Sequence, residues 1–381
     1  MRPPIAGPRK RAPMAGPERK PAPMAGPESP FLRVVGPAPE LEKQTFKDAV
    51  GRLFHAADMA TFPAEAQAEI ARERIPLTPE QTQAIDICNE VTNAYLKKLG
   101  LPAADLPARN FVILPNASFG RMQMEPDVAA TNALFQQVIF INQDVLEGEP
   151  LSYFAAVVLH EMIQFKGPFA WRISDNADAK KKDKGTGVRQ WGLRVFDNVK
   201  DIPEEMAAGS RMEGLEEATV TDIQKLLFRE VFNRAPFVKE RKEMSQGRVK
   251  RMREQGASNN DIPIDEIYRI SRAKTDDPIL LRFPYYPQRV VLNEIAKDIK
   301  AAHPGQFKTI EDVKVEFHRA RFTLNIQGIS RLIRNTYGPQ GLETIAAMSA
   351  DEVMNLPRTV TLPKLQALRT AILDAQNQSK K

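Results

Sequence analysis

The residues whose types and spacing suit chemistry here are His160, Glu161 and Gln164, in the run His160-Glu161-Met162-Ile163-Gln164. On a helix, positions i and i+4 stand one turn apart on one face. Two imidazoles at that spacing can offer nitrogens to one metal ion, while a glutamate between them serves as general base. His160 and Glu161 hold the first two places, but Gln164 holds the third. An amide oxygen is a neutral, weakly basic donor, and zinc prefers nitrogen, sulfur or carboxylate. The His-Glu dipeptide means little alone, because four histidines in a chain with 48 acidic residues readily produce one.

Its surroundings carry more weight. The segment from Ser152 to about Phe165 reads as a helix that is apolar almost all round, as in the middle of a core, yet it takes His160 and Glu161 into its second half. Buried charges are costly unless paired or bound to metal. Two runs rich in β-branched residues, Phe111-Val112-Ile113-Leu114 and Gln137 to Asn142, predict a small sheet before that helix. Further upstream, Thr78-Pro79-Glu80 is a helix-start signature, and the helix it opens runs to Leu99, where Gly100-Leu101-Pro102 stops it. Downstream, the helix-like segment Gly214 to Asp222 begins with two carboxylates, Glu216 and Glu217.

Val158-Leu159-His160-Glu161-Met162-Ile163 together with Leu215-Glu216-Glu217-Ala218 resembles the gluzincin group of zincin metallopeptidases, over roughly residues 110–225. The resemblance implies a zincin-like core with a small sheet and an active-site helix. It makes Glu161 the general base and His160 a zinc ligand. Glu217, on the later helix, becomes the third ligand, with Glu216 where the family often has Asn; Glu213 and Glu205 rank behind it. Asp222 is implied behind the ligands, orienting His160. The strand from Gln137 to Asn142 falls where zincins put the edge strand that aligns a peptide substrate. Tyr285 and Tyr286, flanked by prolines, suit an oxyanion donor or simple packing. With Gln164 in a ligand position, zinc is expected to bind weakly or not at all, which leaves Glu161 without an activated nucleophile. The expected role is then a peptide- or protein-binding pseudo-peptidase. Two alternatives stand beside it: an active zinc-dependent peptidase that tolerates Gln164, and a helical scaffold or interaction protein with a coincidental motif.

Composition bounds the rest. At 381 residues, 42% hydrophobic and 27% charged, the chain can bury a sizeable core. Three stretches are expected: a disordered Pro/Gly/basic tail over 1–44, a zincin-like domain over 45–235 and a helical part over 236–381, giving an α+β, predominantly helical fold. The tail repeats Pro-Met-Ala-Gly-Pro in degenerate form and holds 11 of the 30 prolines in its first 40 residues. Helices are expected around 239–255, 289–302, 308–336 and 364–375, and Tyr337-Gly338-Pro339 reads as a turn between helices. Of the net charge of +6, residues 1–46 carry +4, so the folded part is nearly neutral. That argues against dedicated nucleic-acid binding, and the interleaved acidic residues make Lys239 to Arg253 a solvated helix. One cysteine excludes an intramolecular disulfide, and Cys88 reads as buried packing. No run is long and apolar enough to span a bilayer, and no apolar signal region follows the basic N-terminus, so a cytoplasmic location is expected.

Overall fold

In the computed structural model the described residues are 32–36, 38–44, 62–126, 128–133, 137–172, 187–196, 210–271, 279–351 and 355–378. They form an α+β, mostly helical molecule. After strand β1 (Leu32–Val35) come helices α1 (Ala64–Glu73) and α2 (Pro79–Lys98). Next are β2 (Phe111–Leu114), the short α3 (Asn116–Arg121), β3 (Ala130–Ala133), β4 (Val138–Asn142), the single turn α4 (Gln143–Leu146) and the motif helix α5 (Leu151–Phe165). Strands β5 (Phe169–Arg172), β6 (Gly187–Trp191), β7 (Arg194–Phe196) and β8 (Ser210–Arg211) lead into the long α6 (Glu213–Phe232).

Strand alternation explains the smaller sheet, which runs β2-β4-β3 with β2 parallel and β3 antiparallel to β4. Phe111, Ile113, Ile139 and Ile141 turn to a core shared with α2, α5 and α6, whereas Val112, Leu114, Val138 and Phe140 meet Ile70 and Phe119 on the opposite face. Each such side chain taken out of water contributes about 1.5–3 kcal/mol. The second sheet runs β1-β5-β6-β7-β8.

Helix α2 starts and stops as its sequence dictates. Thr78 accepts from the Gln81 N–H at 3.1 Å while the Gln81 side chain accepts from the Thr78 N–H at 2.9 Å, and Gly100 beyond the C-terminus takes a φ of +76°. Helix α5 follows Pro150 and has no side-chain cap of its own. Instead Glu240 accepts from the Ser152 N–H at 3.2 Å, placing a carboxylate at the positive end of the helix dipole. Cys88 is fully buried between α2 and α5, its thiol near the Ala155 carbonyl, and burial pushes its pKa up to about 12.

The C-terminal part adds α7 (Val238–Met244), α8 (Gly247–Asn259), the hairpin β9 (Ile267–Ser271) and β10 (Ile279–Arg282), α9 (Tyr286–Ala302), α10 (Ile310–Thr323), α11 (Ile326–Ala346) and α12 (Leu362–Gln378). The hairpin makes this part less purely helical than its sequence suggests. The single helix expected at 239–255 is two, broken before Gly247 with its φ of +57°, and the one expected at 308–336 breaks at Leu324, whose φ is +56°. Gly338, at φ 75° and ψ −179°, kinks α11 where a turn was expected.

Two sets of contacts cross the stretches expected from the sequence. Leu32–Val35, assigned to the tail, pair in register with Phe169–Arg172, and Lys43 donates its backbone N–H to Pro39. Residues 1–31 and the lysine-rich run at 180–185 lie outside the described residues. A boundary at 235/236 does not separate two cores. Leu215 and Ala218 of α6 belong to a core with Val291, Ile295 and Phe317, while Val220, Ile223 and Leu227 of the same helix belong to the core around α5.

Candidate functional site

Two helices bring the motif together. Along α5, His160 and Gln164 lie one turn apart, and α6 crosses them with Glu217 facing inward. The seating of α6 fixes that position. Its N-terminus begins with Met212 in the left-handed region at φ 63° and carries no side-chain cap. The Met212 N–H donates to the Ala346 carbonyl at 2.8 Å, and the Gly214 N–H donates to Met348 at 3.1 Å. These contacts satisfy donors that a helix leaves unpaired. Any Cβ at position 214 would stand 2.6 Å from the Met348 and Ser349 carbonyl oxygens, so glycine is needed there.

Three side-chain groups then converge. The Gln164 amide nitrogen lies 3.1 Å from His160 Nε2 and 3.3 and 3.4 Å from the two Glu217 oxygens, and His160 Nε2 lies 3.7 Å from Glu217 Oε2. Two ligands of a tetrahedral zinc, each 2.0–2.1 Å from the ion, stand about 3.3–3.5 Å apart. The triangle therefore has the dimensions of a zinc ligand face.

The hydrogen-bond network also assigns orientations. The Gln224 amide N–H donates to the Ala156 carbonyl at 2.8 Å, which turns Gln224 Oε1 toward His160 Nδ1 at 3.2 Å. His160 thus carries its proton on Nδ1 and directs the Nε2 lone pair into the triangle. Asn132 Nδ2 donates to Glu161 Oε2 at 2.7 Å and to Gln164 Oε1 at 3.3 Å. With its oxygen held by Asn132, Gln164 turns its NH₂ to both His160 and Glu217. At its backbone, the Gln164 carbonyl accepts from Trp191 Nε1 at 3.2 Å and from Arg321 Nη2 at 3.1 Å. Arg321 is wholly buried and pairs with Glu216, which also accepts the Leu193 N–H.

Burial dominates the electrostatics. It lowers the His160 pKa to about 4, against the pull of the Gln224 hydrogen bond, so the imidazole is neutral at pH 7. Burial raises Glu161 to about 7, opposed by Asn132, and burial with the neighbouring Glu216 charge raises Glu217 to about 8. His160 and Glu217 are therefore both neutral near pH 7, 3.7 Å apart and joined through Gln164, whose N–H groups supply what a cation would otherwise supply to both. Zinc fits the size of the triangle but not its donor chemistry, because one corner presents hydrogen-bond donors where an ion needs a lone pair. Among the described residues, no three His, Cys, Asp or Glu side chains are grouped to hold a metal ion.

The structure brings His160, Glu161, Gln164 and Glu217 together and leaves Asp222 apart. Asp222 faces the other side of α6, where it accepts from Lys314 at 2.9 Å and contacts His318 Nε2 at 3.1 Å; Gln224 orients His160 in its place. Of the rival carboxylates, Glu213 pairs with Arg194 and Glu205 lies outside the described residues. Strand β4 is the centre of its sheet rather than the edge; the strand nearer α5 at the edge is β3. Tyr285 stacks on His160, with ring centroids 6.2 Å apart at 25°. Asn132, Gln224, Trp191 and Arg321 were not foreseen. Only Gln224 had a signal in the sequence, since it follows Glu217 by seven residues and so shares its helix face.

Comparison of this chain with protein-family models, with curated proteins and with solved structures finds no match.

Proposed function

We propose that this chain is a metallopeptidase-like protein of zincin type whose zinc site has been remade as a metal-free triad of His160, Gln164 and Glu217, and that it binds an extended peptide or protein segment without hydrolysing it. The observation that carries the reading is the triangle itself. Residues 53 positions apart in sequence meet at zinc-ligand spacing, with the oriented His160 tautomer that such a site requires. A coincidental motif on a helical scaffold offers no reason for that convergence. Against an active enzyme stands the donor chemistry: with an N–H group at the third corner, no hydroxide is generated for Glu161 to serve.

Strand β3 supports the binding half of the proposal. Among the described residues it pairs only with β4; a peptide strand would add along its other edge, and Asn132 links the strand to Glu161. The test uses fluorescently labelled, reduced and alkylated casein fragments as extended probes. The wild-type chain should raise their anisotropy saturably and leave them intact, and Gln164→His with zinc should cleave them. Metal-dependent cleavage by the wild type would replace this reading with that of an active peptidase; absence of binding by both proteins would remove it.

A further inference from the structure

On the face of α6 turned away from the His160 triad lies a cavity of about 580 Å³, within the roughly 300–1,000 Å³ range of small-molecule sites. It is built mainly by helix faces. Helix α6 contributes Asp222, Lys225, Leu226 and Arg229, an i, i+3, i+4, i+7 stripe, and α9 and α10 contribute stripes of the same spacing that begin at Tyr286 and Glu311. Stripes of that period ordinarily close against one another as apolar seams. Here they mix charged with apolar side chains and meet at one polar end, with Tyr95 of α2 and with Pro263 and Glu266 adding to the wall.

The polar end is built and largely buried. Tyr95 Oη lies 2.5 Å from His318 Nδ1, His318 Nε2 lies 3.1 Å from Asp222 Oδ2, and Lys314 donates to Asp222 Oδ1 at 2.9 Å. The Lys314 side chain is 17% exposed, and its ammonium has three donors. One reaches Asp222. Lys98, exposed, stands on the same wall, where Lys225 and Arg289 pair with Glu266 and Arg229 pairs with Asp265. The apolar remainder includes Val290, Val315 and Leu226, the last of which is 44% exposed although it faces other side chains of the cavity.

We infer that this cavity binds an amphiphilic anion: a small molecule with one carboxylate, sulfonate or phosphate head and an aliphatic or aromatic body. The head sits at Lys314 and Lys98, and the body covers Leu226, Val290 and Val315. Nothing in this inference depends on the metallopeptidase-like reading.

The probe is 1-anilinonaphthalene-8-sulfonate, an aromatic anion whose fluorescence rises in apolar surroundings, titrated into the full chain. Saturable binding is expected, displaced by octanoate and not by octylamine. Lys98→Glu with Leu226→Glu, two exposed positions whose replacement leaves the core intact, should weaken the affinity at least tenfold. Unchanged thermal unfolding of that double variant shows that it folds, and Leu226→Trp, which fills the cavity without altering its charge, should weaken binding comparably. Equal displacement by octylamine, or binding that neither variant weakens, would overturn the assignment.

Discussion

Gln164 is the residue on which the chemistry turns. In the second ligand position its amide makes the contacts of a neutral bridge, and the surrounding burial keeps His160 uncharged and raises both Glu161 and Glu217. A carboxyl whose folded pKa is raised contributes most below its ordinary pKa, and that contribution is lost as pH climbs through the folded value. For Glu217 the loss runs from the ordinary carboxylate range up to about pH 8. Glu217→Gln removes the ionisation while keeping the shape. Its urea midpoint should gain on the wild type between pH 6 and pH 9, and the two should lie closest near pH 4; a difference independent of pH would show that Glu217 ionises freely. Helical spacing and residue type made His160, Glu161 and Gln164 legible, and the resemblance to the gluzincin pattern pointed to Glu217. Asn132 was not, since a lone asparagine in Ala130-Thr131-Asn132-Ala133 carries no signal of what lies across from it in space.

At the level of elements, α6 does the positioning. It is held at its N-terminus by carbonyls of Ala346, the last residue of α11, and of Met348 just beyond it, and these contacts fix where Glu217 points. Gly214→Ala would drive a methyl group against two backbone oxygens that have no rotamer to escape through. A loss of about 1–3 kcal/mol is expected, read as a lower midpoint in thermal or urea unfolding, and wild-type stability would refute the close approach. Elements whose ends carry strong local signals were readable from the sequence. Thr78 with Pro79 and Glu80 announced α2, and the β-branched runs announced β2 and β4. Strand β3 has a single β-branched residue, Thr131, and owes its conformation to pairing with β4, a long-range effect that a local pattern does not encode. The break at Leu324 was hidden for a similar reason: a non-glycine residue takes the left-handed conformation there only because tertiary packing imposes it.

For the whole molecule, the two cores meet along one helix. The sequence pattern placed a boundary after residue 235 because strands give way to helices near there, but composition cannot show that Leu215 and Ala218 pack among residues beyond 290. A fragment ending at 235 would expose that half of α6 and free the Met212 and Gly214 N–H groups. It should therefore show no cooperative unfolding by circular dichroism, whereas the full chain should; a cooperative transition in the fragment would restore the boundary. None of the helices among the described residues is long and apolar enough to cross a membrane.

The central claim, that a zincin-type triad has become metal-free through Gln164, is tested most directly by calorimetric zinc titration of the wild-type chain and of Gln164→His. The account predicts one stoichiometric site in Gln164→His, tighter than any wild-type binding by more than the roughly 10–100-fold that an outer-shell partner alone is worth, and lost when His160→Ala is added. Zinc binding by the wild type as tight as by Gln164→His, or none by either protein, would contradict it.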